Sequence, residues 1–142
     1  MASRDVDEEV TQDGYRVLRE TSQDMLLWAY YVHYNHSCFG GRLPTMPIYW
    51  AKSIATPDGS HANALYVPEV SPVKRRFIVL DEKLSDMFPL ERLCLLHEMV
   101  SVGIEPIGGH GEEFITEFKR VLDATGRDVM GCVDSRLTSP QA

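Results

Sequence analysis

Between Pro89 and Pro106 the chain carries an apolar stripe with helical spacing, and a histidine and a glutamate sit side by side within it. Leu90, Leu93, Cys94, His97, Val100 and Ser101 recur three and four residues apart, which predicts a helix closed by Gly103 and Pro106. Pro89 suits the first helical turn, where its missing N–H costs nothing. A helix turns once in about 3.6 residues, so positions 97 and 101 share a face and position 98 lies roughly 100° from 97. A histidine and a glutamate held this way inside an apolar helix demand a sheet or further helices to cover the rest of it.

The remaining chain supplies both. A helix is predicted from about Ser22 to His36, with Met25, Trp28, Ala29 and Val32 on one face, a start at Thr21 with Asp24, and an end before Gly40 and Gly41. Three strands follow, over 48–54, 63–70 and 76–81, separated by Thr56-Pro57-Asp58-Gly59 and Val70-Ser71-Pro72. Strands this close in sequence predict an antiparallel meander. After the stripe, Gly108-Gly109-His110-Gly111 leads to a last helix with Phe114, Phe118, Val121 and Leu122 on its apolar face and Gly126 at its end. The expected fold is α+β: an N-terminal helix on a small three-stranded antiparallel sheet, then the His97 helix and a C-terminal helix. Residues 1–20 read as a polar segment in which Tyr15, Val17 and Leu18 begin a short helix, 21–126 as the domain, and 127–142 as a tail.

The 142 residues are enough for one core, and 44% hydrophobic with 25% charged residues is the balance of a soluble globular protein. No apolar run approaches the about 18 residues that a membrane span needs, and the acidic first ten residues do not read as a secretory signal. The net charge of -7 opposes broad binding to a phosphate backbone. The run Lys74-Arg75-Arg76 reads as a solvated turn before a strand. Cys38, Cys94 and Cys132 form no C-x-x-C pair, so no disulfide framework or cysteine cluster is expected, and a reducing, cytoplasmic setting fits best.

In H-E-x-x-H sites, two histidines one helical turn apart bind zinc, and the glutamate between them takes a proton from the zinc-bound water. Here His97 and Glu98 are in place and Ser101 occupies the second-ligand position. Catalytic zinc takes three protein ligands and leaves a position for water. His110, among glycines that let the chain turn back, is a further nitrogen donor. Serine is a poor zinc ligand beside imidazole or carboxylate. Glu105, four residues beyond Ser101, is the nearest substitute, with Asp81 and His61 behind it. His33 and His36 read as surface or packing residues.

The segment Asn35-His36-Ser37-Cys38-Phe39-Gly40-Gly41-Arg42-Leu43-Pro44 resembles the N-x-x-x-F-G-G-x-L-P signature of SprT-like proteins. Ile48-Tyr49-Trp50 resembles their next strand, Leu95-Leu96-His97-Glu98-Met99 their metal helix, and His110-Gly111-Glu112-Glu113-Phe114 their third-ligand motif. The resemblance spans roughly residues 22–122 in the family's order. It implies a zincin-like peptidase domain in which His97 and His110 hold Zn2+, Glu98 is the catalytic base, and the partner is a protein or peptide substrate. Relatives such as Spartan act on proteins crosslinked to DNA; the acidic charge here does not support DNA association. Ser101 departs from the pattern. Natural degeneration or an altered active parent implies weak or absent hydrolysis, a substitute ligand would complete the site, and the bland reading is an accidental His-Glu pair on an ordinary core helix. The alternative is a catalytically dead zincin fold used as a binding or structural module, of viral or mobile-element origin.

Overall fold

The computed structural model describes residues 6–70, 73–105 and 111–125. Within them the elements run β1 (Val6–Val10), β2 (Arg16–Glu20), α1 (Met25–Phe39), β3 (Ile48–Ala55), β4 (Ala64–Val67), β5 (Phe77–Asp81), α2 (Phe88–Gly103) and α3 (Glu112–Thr125), with one 3-10 turn at Glu82–Asp86. The α+β class stands. The three-stranded antiparallel sheet does not: the sheet has five strands in the order β1-β2-β3-β5-β4 and is mixed.

Two features produce the larger sheet. Residues 6–20 form a hairpin instead of a polar segment with a short helix. Gly14 takes a left-handed φ of 93° after Asp13, Gly14 N donates to Thr11 O at 3.0 Å, and Thr11 N donates to Tyr15 O at 2.9 Å. β2 then pairs antiparallel with β3. In addition, β5 inserts between β3 and β4, parallel to β3 and antiparallel to β4. The meander expectation fails because the chain leaves β3, crosses to the far edge for β4, and returns inward. β5, buried at every position from Phe77 to Asp81, becomes an interior strand, and β4 becomes the edge.

Helix α1 also differs from expectation. Its start is Asp24, whose Oδ1 accepts from Leu27 N at 2.9 Å while Oδ2 accepts from the Trp50 indole at 2.9 Å. Its buried face is Leu27, Tyr31, Tyr34, Cys38 and Phe39, whereas Met25 and Val32 are exposed. The sequence offers apolar residues all around this helix, so tertiary contacts choose the face. Gly40 and Gly41, both at positive φ, close it, and Gly41 N donates to Asn35 O at 2.8 Å. Asn35 then holds Leu43 by both amide groups, Nδ2 to Leu43 O and Leu43 N to Oδ1, each at 3.1 Å. The Asn-to-Leu-Pro segment is therefore a hinge clamp that leads the chain into β3.

The helices cover one face of the sheet. Leu95, Leu96, Met99 and Val100 of α2 pack with Tyr31, Tyr34 and Phe39 of α1, Ile48, Ile78 and Leu80 of the sheet, and Phe114 and Val121 of α3. The opposite face holds a smaller core of Val17, Ala51, Ile54, Val67, Val73, Phe77 and Val79. No helix among the described residues is long and apolar enough to cross a membrane.

Candidate functional site

Helix α2 carries its deep packing on Leu95, Leu96 and Met99, all fully buried. This leaves Leu93, Cys94, His97 and Glu98 on the flank facing β4 and α3. With Asn63, Ala64 and Phe118 they line a cavity of about 290 Å³. Three residues of the helical stripe, Leu93, Cys94 and His97, thus line the wall of a cleft, and Glu98 joins them there, while Val100 is core.

Glu98 is the better fixed of the two. Its side chain is 11% exposed, its Oε1 accepts from the backbone N–H of Tyr66 on β4 at 2.9 Å, and its Oε2 lies 3.1 Å from His97 Nδ1. Buried carboxylates need such partners. Glu91, also buried and two helical turns earlier, has its carboxyl pushed above the usual range by burial. The His97 ring packs against two neighbouring aromatic rings of α3, Phe114 at 4.7 Å and Phe118 at 5.4 Å between centroids. Cys94 lies on the same wall, and burial, with a lesser effect of the Glu98 charge, pushes its thiol up to about 11.

The other residues expected at the site fall elsewhere. Ser101 Oγ points back along its own helix and donates to His97 O at 3.4 Å. Glu105 is exposed just past the end of α2, where its Oε1 accepts from Tyr66 Oη at 2.8 Å and lies 3.4 Å from Arg76 Nη1. Asp81 caps the 3-10 turn, with Oδ1 accepting from Lys83 N at 2.9 Å. His61 is exposed in the loop before β4, and His33 and His36 are exposed on α1. Arg76 is tied to Glu105, while Lys74 and Arg75 are exposed beside it. His110 and Cys132 lie outside the described residues.

A catalytic zinc ion needs three protein donors. Among the described residues no three His, Cys, Asp or Glu side chains converge. His97 offers an imidazole and Glu98 a carboxylate already hydrogen-bonded twice, while the Ser101 hydroxyl is turned to a backbone carbonyl. These donors alone do not make up the three that a catalytic zinc takes, and His110, the further donor expected, lies outside the described residues.

Sequence reading did not anticipate Tyr66. Its role rests on a backbone N–H, which leaves no trace in side-chain identity, and on β4 being an edge, which depends on where β5 inserts. Phe114 and Phe118 were legible as an apolar face, but their stacking on His97 depends on how α3 returns across α2. Comparison with protein-family models, with curated proteins and with solved structures yields no match.

Proposed function

We propose that this chain is a SprT-like, zincin-type metallopeptidase domain whose hydrolytic capacity is impaired by Ser101, and that its cleft receives an extended peptide. The observation that carries this reading is the placement of Glu98. A buried carboxylate, beside an imidazole on the same helix, sits in the wall of a cavity directly against an edge strand. An edge strand offers backbone groups to an added peptide, and the cavity offers room for one of its side chains. The motif resemblance around Asn35–Pro44 and Leu95–Met99 supports the same assignment.

A second reading is favoured by one specific observation. Both carboxylate oxygens of Glu98 are engaged within the protein. A domain that has stopped hydrolysing but still holds peptides would look like this.

Zinc content and cleavage of an unfolded protein substrate separate the two. As written, the chain should purify with zinc near zero per molecule and cleave weakly or not at all. Ser101→His should bring zinc toward one per chain and raise cleavage, and Glu98→Gln in that background should abolish the gain. Unchanged zinc in a folded Ser101→His protein would overturn the metallopeptidase reading and leave the binding module.

A further inference from the structure

The edge of β4 is occupied, and its occupant is Glu98. In an antiparallel pair, residues alternate between those that exchange hydrogen bonds with the partner and those whose N–H and C=O point away. Asp81 N donates to Asn63 O at 2.8 Å, so residues 63 and 81 form a bonded pair. The register of β4 on β5 then makes Leu65 with Val79, and Val67 with Phe77, the next bonded pairs. Ala64 and Tyr66 must turn their backbone groups outward. These are the groups an added strand would use, and the Tyr66 N–H is already donated to Glu98 Oε1 at 2.9 Å in a buried position.

We propose that Glu98 is an internal stopper on this edge: an extended peptide pairs with β4 only when the Glu98 side chain swings off the Tyr66 N–H. The inference deepens the reading of the cleft as a peptide site and rests on it. A peptide carbonyl would have to displace an acceptor already seated at 2.9 Å in a buried position. The stopper is also braced. Glu98 Oε2 is held at 3.1 Å from His97 Nδ1, and the His97 ring is held by Phe114 and Phe118. The strand is braced too, because Tyr66 Oη is bonded to Glu105, just past the end of α2. One residue of β4 is thus tied to α2 by its backbone and to the turn after α2 by its hydroxyl. The space a peptide side chain would enter, beside Ala64, Leu93 and Phe118, lies next to the stopper and is not filled by it.

The test uses the full chain and a fluorescein-labelled peptide, Lys-Thr-Val-Leu-Val-Thr-Lys, whose basic ends suit the acidic protein. Its affinity is measured for the natural chain, Glu98→Gln and Glu98→Ala. Removing the carboxylate should tighten binding about tenfold in Glu98→Ala. The neutral amide of Glu98→Gln, which keeps the shape and the fold, should give a smaller gain. Amide hydrogen exchange supplies a second readout that needs no variant. Without peptide, the Tyr66 amide should exchange at least about tenfold more slowly than the Ala64 amide on the same edge. Equal affinities for the natural chain and folded Glu98→Gln, or equal exchange at Tyr66 and Ala64, would overturn the stopper alone. No binding by any of the three proteins would overturn the peptide cleft as well.

Discussion

The two edges of the sheet are closed in different ways. At β1 the closure is local and charged: Arg16 pairs with Glu8 at 2.8 Å and Arg19 with Glu9 at 2.9 Å, all within one hairpin. Strand edges are commonly protected by such charges, which make pairing with another chain unfavourable. At β4 the closure comes from a distant helix, through Glu98 on the backbone and Glu105 on the Tyr66 hydroxyl. The first device discourages an added strand with charges that stay on the hairpin itself. The second withdraws if one side chain rotates.

If the edges differ in this way, damage on the β4 side should cost far more than damage on the β1 side. Leu80→Ala, in the strand behind β4, empties a fully buried position between Trp50 and Ala64. It should cost about 2–5 kcal/mol, read as a lower denaturant midpoint at unchanged slope. Tyr66→Phe removes only the hydroxyl bond to Glu105 and should cost about 1 kcal/mol in the same measurement. Its amide should stay protected from exchange, because the bond to Glu98 is made by the backbone. Arg16→Ala breaks a pair whose members are both about half exposed, 62% and 49%. Its cost should be under about 0.5 kcal/mol and should vanish in high salt. A loss at Arg16 equal to that at Tyr66 would erase the contrast, since the charged edge would then be structural as well.

The sequence carried the helices that matter and the three strands that flank the site, because each has a clear period and a proline or glycine boundary. Leu93, Cys94 and His97 were visible on one stripe, and the structure places them on one wall together with Glu98, which the sequence put about 100° away. What was not legible has physical causes. The hairpin over 6–20 alternates weakly, since only Val17 among its strand residues is fully buried. Its Asp13-Gly14 turn was the available signal. The parallel pairing of β3 with β5 is a long-range choice that adjacency in sequence argues against. The buried face of α1 was hidden by apolar residues on every side. Ser101 reads as a weak donor from its chemistry alone, and the direction of its hydroxyl, toward the His97 carbonyl, comes only from the structure.

Cys94, set in the wall of the same cleft, gives the region a chemical temperament. With its thiol pushed up to about 11, only about one molecule in ten thousand carries the reactive thiolate at neutral pH. Peroxides and alkylating reagents act on that form, so the cleft should survive oxidative stress that consumes ordinary surface cysteines. The Cys94 sulfur in that wall is therefore a quiet one.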